Sequence, residues 1–216
     1  MPPVLTFGPF SMPTYTAALT LAIGISALAG WRLWGGPGRS WAAICLFTLL
    51  GGVLGGRLAH VINHWDYFQF ALNEALRVNG GGLDWAGAAL GGIAGAALTA
   101  RFLRTPIAPV LDALTPALPL LALAGSVGCA AAACAYGREI PTLAGVSPLA
   151  ATELPDVYGL AAPRYQTQLW QALWSLCLLA WVALAFWRGW LRRWRFWLTL
   201  GLLALGLLLI GLFRAA

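Results

Sequence analysis

Few side chains in this 216-residue chain can do chemistry, and they fall into three groups. Arg57, His60 and His64 are spaced three and four residues apart, which sets all three on one face of a helix. An arginine suits a phosphate, because its guanidinium offers paired N–H donors in a rigid fork. The two histidines have the i, i+4 spacing of a chelating pair, but no third ligand is evident, so neither a metal nor a cofactor is expected. Cys129 and Cys134 form the second group. With Cys45 and Cys177 they match no zinc framework, since no CxxC occurs. They read either as buried small hydrophobes or as a thiol pair for redox or lipidation chemistry. Tyr15, Arg138, Arg164 and Gln168 form the third group, with Asp84, Asp112 and Tyr136 nearby in the polar inventory. The chain has no GxSxG elbow, no HExxH and no P-loop, so no catalytic residue is assigned. Together these groups predict an outward-facing, arginine-lined pocket for an anionic lipid headgroup, built from Arg57, Tyr15, His60, Arg138, Arg164 and Gln168.

The elements that must position these residues are transmembrane helices. Hydrophobic residues make up 60% of the chain and charged ones 9%, against about 25% charged in a soluble domain. Mean hydropathy is +0.77. This balance excludes a soluble enzyme, a disordered chain and a free nucleic-acid-binding protein. All 13 basic residues are arginines, and most lie in short connections between apolar runs, as topology signals rather than a phosphate-backbone surface. The expected fold is all-α: a single polytopic membrane bundle over residues 1–216. It has about six spans at 14–31, 41–63, 84–103, 107–135, 166–187 and 196–213. Pro109, Pro116 and Pro119 predict a kink in the fourth span. Residues 66–78 alternate polar and apolar at helical spacing and predict a short interfacial helix anchored by Trp65, Tyr67 and Phe68.

The connections after spans one, three and five carry eight arginines and no acid: Arg32, Arg39, Arg101, Arg104, Arg188, Arg192, Arg193 and Arg195. Those after spans two and four carry three arginines against five acids. The positive-inside rule puts the first set in the cytoplasm, the second outside, and both termini outside. No basic region precedes the first apolar run, so no cleaved signal peptide is expected. Gly51, Gly52, Gly55 and Gly56, and Gly87, Gly91 and Gly95, form two ridges of small residues four apart, which let helices approach closely in lipid. Trp31, Trp34, Trp41, Trp187, Trp190, Trp194 and Trp197 gather at the span ends as an aromatic belt.

Several stretches, in order, resemble the bacterial prolipoprotein diacylglyceryl transferases. Phe7-Gly8-Pro9-Phe10 followed by Tyr15 is similar to that family's opening. Gly55-Gly56-Arg57-Leu58 with Trp65-Asp66-Tyr67-Phe68 is similar to its GxRLGYV and WxYY blocks. Gly81-Gly82-Leu83-Asp84-Trp85-Ala86-Gly87 sits where the family has GGMSFHGG. Leu111-Asp112 through Pro116-Ala117-Leu118-Pro119 resembles the approach to the family signature, Tyr136-Gly137-Arg138 with Thr142 its end. Pro163-Arg164 with Gln168-Leu169 resembles the entry into the next span. The resemblance covers nearly the whole chain. It implies a multi-pass protein of the bacterial cytoplasmic membrane. Its implied activity moves the diacylglyceryl group of phosphatidylglycerol to a lipobox cysteine thiol.

The departures from the family pattern fall on polar positions. Ala86 stands for its histidine, Ser126 for the signature arginine, Cys129 for an asparagine and Cys134 for a glutamate. Aligned on Phe213-Arg214, Leu203 stands for a tyrosine, Leu207 for a second arginine and Gly211 for a glutamate. The family's final helix is absent before Ala216. Each lost oxyanion donor costs on the order of 10²–10³ in rate. The expectation is therefore a catalytically inactive relative, kept as an accessory or structural subunit beside other membrane-protein subunits of a respiratory or photosynthetic complex. The alternatives are the phosphatidylglycerol–prolipoprotein diacylglyceryl transferase itself or a related lipid or thiol transferase, and a lipid-binding membrane protein.

Overall fold

The computed structural model describes residues 4–7, 10–77, 81–156 and 158–215. Gly8 and Pro9 of the opening motif, and Val78 at the end of the expected interfacial helix, lie outside the described residues. The elements run β1 (Val4–Phe7), β2 (Phe10–Pro13), α1 (Thr14–Trp34), α2 (Gly38–Asn63), α3 (Trp65–Phe68), α4 (Leu72–Ala75) and α5 (Trp85–Phe102). They continue with α6 (Ile107–Leu114), α7 (Ala117–Ala132), β3 (Ala151–Pro155), β4 (Ala161–Tyr165), α8 (Thr167–Trp187) and α9 (Arg195–Gly211).

The protein is an all-α polytopic membrane protein. In a bilayer every backbone polar group must be satisfied within its own segment, so apolar runs become helices. Four runs are long and apolar enough to cross: Thr14–Trp34, Gly38–Asn63, Ile107–Ala132 and Thr167–Trp187. Helix α9 is a shorter apolar helix of 17 residues, and α5 has 18. At 1.5 Å per residue each rises about 26 Å, a little under the roughly 30 Å of hydrocarbon. The expected kink in the fourth span is a break at Thr115-Pro116 between α6 and α7, where proline has no N–H to continue the ladder.

One expectation about local structure is corrected. Of the stretch expected as one interfacial helix at 66–78, the described residues 66–77 do not form one helix. They make two single turns, α3 and α4, separated by Gln69, Phe70 and Ala71, because their hydrogen bonds run mostly to neighbours three or four residues back in isolated turns. Two antiparallel hairpins accompany the helices, β1–β2 ahead of α1 and β3–β4 between α7 and α8, the second pairing Ala151 with Tyr165 through Pro155 with Ala161.

The chain forms two compact units, Met1–Gly30 with Leu114–Ala216, and Trp31–Ala113. In the second unit α2 and α5 pack along the glycine ridges. A Cβ on Gly55 would lie 2.8 Å from the Cα of Gly91, and one on Gly91 would lie 2.9 Å from the Cα of Gly55. Backbones this close leave no room for side chains, so glycine is required there. In the first unit α7 and α9 both pack on α8, and the buried side chains of α8 include Gln168, Gln171, Ser175, Leu178 and Val182.

Candidate functional site

In the unit Trp31–Ala113, Arg57 gathers the connection between α2 and α5. Its Nε donates to the carbonyl of Ala75 at 2.9 Å, and Nη2 donates to the backbone carbonyl of Glu74 at 2.6 Å. Nη1 donates to Gly81 at 2.8 Å and to Gly82 at 3.2 Å. The guanidinium also lies 5.2 Å from the centre of the Phe68 ring. Gly81 and Gly82 have φ of +84° and +75°, which turns both carbonyls onto one cation. His60 stacks against His64 with ring centres 4.3 Å apart and meets Phe68 at 5.9 Å. Asp84 caps α5, accepting from the amides of Ala86 at 2.8 Å and Gly87 at 3.3 Å. Arg57 thus serves here as a clamp on backbone carbonyls. Tyr67 in α3 donates to Glu74 at 2.6 Å, and that bond raises the Tyr67 pKa, since it favours the neutral phenol. Among the described residues no group of three or more His, Cys, Asp and Glu side chains is placed to hold a metal.

The other named residues come together in the first unit. Tyr15, at the start of α1, packs on Gly128 of α7, where an added Cβ would lie 3.0 Å from the Tyr15 Cα. Cys129 and Cys134 are joined in a disulfide, with Cα atoms 4.6 Å apart. It closes the end of α7, where Ala133 takes a left-handed conformation and the amide of Cys134 donates to Cys129 at 2.9 Å. Gln168, buried on α8, donates to the carbonyl of Cys134 at 2.6 Å, and Thr167 donates to that of Ala135 at 2.8 Å.

Beyond the disulfide, residues 136–140 run between β4 and the segment after α9. Arg138 N–H donates to Phe213 at 2.8 Å, Ala215 N–H to Tyr136 at 3.1 Å and Ile140 N–H to Pro163 at 2.9 Å. Gly137 faces Arg214, and Glu139 faces Arg164. Arg164 is buried, Arg214 partly buried and Arg138 exposed. The charge of Arg164 is answered within the protein by Glu139 at 2.6 Å, by Asp156 at 3.5 Å and by the Tyr136 ring at 4.7 Å. Arg138 donates to the carbonyl of Leu212.

Arg214 differs in its charge balance: it donates to the Gln171 side chain and makes no ion pair among the described residues, while its Nε, like that of Arg164, has no hydrogen-bond partner among them. Burial lowers its pKa, yet an arginine stays charged at neutral pH. A partly buried cation with an open donor is what a phosphate seeks. Sequence reasoning missed Arg214 and Gln171 as site residues. The signal was present, since Phe213-Arg214 served as an alignment anchor, but its distance from Gln171 along the chain concealed their meeting. Of the positions that replace family polar residues, Cys129 and Cys134 form the disulfide and two others offer no free polar group. Ser126 is buried and bonded to the carbonyl of Leu123 at 2.7 Å, and Leu203 is buried among the helices.

The family model for prolipoprotein diacylglyceryl transferase matches residues 2–216. The phosphatidylglycerol–prolipoprotein diacylglyceryl transferase of Dehalococcoides mccartyi is 30% identical over 171 residues, covering 74% of this chain and 62% of that protein. The Clostridium perfringens transferase 2 is 26% identical over 174 residues, covering 78% and 66%. The Rhodococcus jostii transferase is 30% identical over 199 residues, covering 81% and 54%. The chain therefore spans between about half and two thirds of the length of these relatives. The expectation of a catalytically inactive accessory subunit is corrected by these matches, which point to the transferase reading. That expectation rested on the replaced residues and the absent final helix, and it overlooked the partly buried cation at Arg214 after α9. The family match runs over essentially the whole sequence, and the chain belongs to the prolipoprotein diacylglyceryl transferase family.

Proposed function

We propose that this chain is a membrane transferase that moves the diacylglyceryl group of phosphatidylglycerol onto a prolipoprotein. The observation that carries this reading is the family match over residues 2–216, joined by relatives that are all named for that reaction. In the transfer the acceptor sulfur bonds to the glyceryl carbon, and that carbon's bond to the phosphate oxygen breaks. Glycerol phosphate leaves with the electron pair, and the thiol proton is released.

Arg214 is the residue we assign to the phosphate. Its guanidinium is partly desolvated, which strengthens its attraction for the leaving phosphate as negative charge builds up there. Gln171 is a positioning residue: its oxygen accepts from Arg214 while its amide donates to Ala122 at 3.3 Å. Tyr15, which packs on Gly128, and Gln168, which holds the Cys134 carbonyl, belong to the same unit. Arg138 and His60 remain proposed lipid contacts, while Arg57 holds the connection between α2 and α5 through its carbonyls.

The reading places the protein in the bacterial cytoplasmic membrane with both ends of this chain outside. The arginine asymmetry supports that orientation, and so does the disulfide, which lies at the end of the fourth expected span that leads into an outer connection and suits an oxidising compartment. The deciding experiment incubates purified protein with phosphatidylglycerol and a lipobox peptide and follows the peptide's mass. A diacylglyceryl adduct on the cysteine, with growth rescue of a strain depleted of its own transferase, is the expected result. Absence of both overturns the reading.

A further inference from the structure

The turn joining α8 to α9 carries charge and aromatic surface that the transferase reading does not use. Residues 187–194 read Trp-Arg-Gly-Trp-Leu-Arg-Arg-Trp, and all are exposed. Trp187 is 78% exposed, Trp190 44% and Trp194 63%. Three tryptophans left open in one turn fit the headgroup layer, where an indole has both apolar and hydrogen-bonding neighbours. Arg188 lies 5.1 Å from the centre of the Trp187 ring and 5.7 Å from that of Trp190, so its planar cation is oriented by two aromatic faces. Arg195 is different: it is buried, lies 4.3 Å from the centre of the Phe186 ring and donates from Nε to the Trp190 carbonyl at 2.6 Å. It anchors the turn, which leaves Arg188, Arg192 and Arg193 as its exposed cations.

These three charges have no acidic counterpart along the chain. No Asp or Glu follows Asp156. We propose that this turn is a binding site for anionic phospholipid headgroups in the leaflet it faces, distinct from the site around Arg214. The complement is in place: three exposed guanidiniums at the ends of two apolar helices, at the depth of lipid phosphates, with indoles holding the turn in the interface. The proposal does not depend on the transferase reading.

The test uses full-length protein carrying Arg214→Gln, so that the proposed substrate site does not contribute. Retention of phosphatidylserine against phosphatidylcholine is counted by native mass spectrometry. The expected result is a preference for phosphatidylserine that weakens with rising ionic strength. In the triple variant R188Q/R192Q/R193Q affinity should fall about fivefold per arginine, on the order of a hundredfold in all. The triple Arg→Lys variant should hold most of the preference, because charge is retained. An unchanged preference in the Gln variant overturns the proposal. So does equal displacement by inorganic phosphate, which would mark a free-anion site rather than a lipid site. If the Gln variant fails to fold, the salt series on the Arg214→Gln protein decides: a preference indifferent to salt overturns the proposal.

Discussion

Arg214 donates a hydrogen bond to the side-chain oxygen of Gln171, whose amide nitrogen donates in turn to the carbonyl of Ala122, 3.3 Å away. One polar relay thus ties the segment after α9 to α8 and α8 to α7. It fixes the direction of a cation that has no carboxylate partner among the described residues.

If Arg214 holds the leaving phosphate, Arg214→Gln should lower the transfer rate on the order of 10²-fold, as expected for the loss of one charge-stabilising donor. Arg214→Lys should fall between, since it keeps the charge but loses the fork. The melting temperature should barely move, because a glutamine can still bond Gln171. Initial rates on phosphatidylglycerol and a lipobox peptide measure this, and an unchanged rate would move the phosphate elsewhere.

Arg57 makes four hydrogen bonds to carbonyls on the connection between α2 and α5. Arg57→Ala should destabilise the chain by about 2–3 kcal/mol, because several charge-assisted bonds are lost together. Residues 72–77 and 81–83 should exchange their amide hydrogens faster while α5 stays protected. Hydrogen-exchange mass spectrometry reads both. Unaltered exchange in the connection would show that the clamp is dispensable.

The disulfide predicts a labelling pattern. Of four cysteines, Cys45 and Cys177 are free. Unfolded without reductant, the chain should take up two maleimides, and after reduction four. Cys129→Ser with Cys134→Ser should cost about 2 kcal/mol in the chain-entropy picture for so short a loop. Four labels without reductant would contradict the pairing.

Gly91 lies against the backbone of Gly51 and Gly55. Gly91→Leu should push α2 and α5 apart and cost at least the roughly 1–3 kcal/mol typical of overpacking. Gly201→Ala is the control, since nothing lies within 4 Å of its added Cβ. A thermal melt in one detergent compares the two. Equal melting temperatures would remove the close-contact argument for the α2–α5 pair.

The sequence by itself determined the helices. The apolar runs at 14–31, 41–63 and 166–187 became Thr14–Trp34, Gly38–Asn63 and Thr167–Trp187. In lipid a backbone must satisfy its own hydrogen bonds, so the length of the run is the length of the helix. The glycine ridges foretold the α2–α5 contact for a similarly local reason, because small residues four apart lie on one helix face. What only the tertiary structure decided is how the polar residues are matched. Sequence named Arg57, Arg138 and Arg164 alike as lipid contacts. Folding put Arg57 on carbonyls, set Arg164 between Glu139 and Asp156, and turned Arg138 outward. It also left Arg214, which sequence passed over, partly buried without a carboxylate partner among the described residues. These outcomes rest on pairings such as Gly137 with Arg214 and Glu139 with Arg164, between residues far apart along the chain. Helical periodicity carries no information about such pairings. A charge's role depends on whether its neighbours in space already neutralise it.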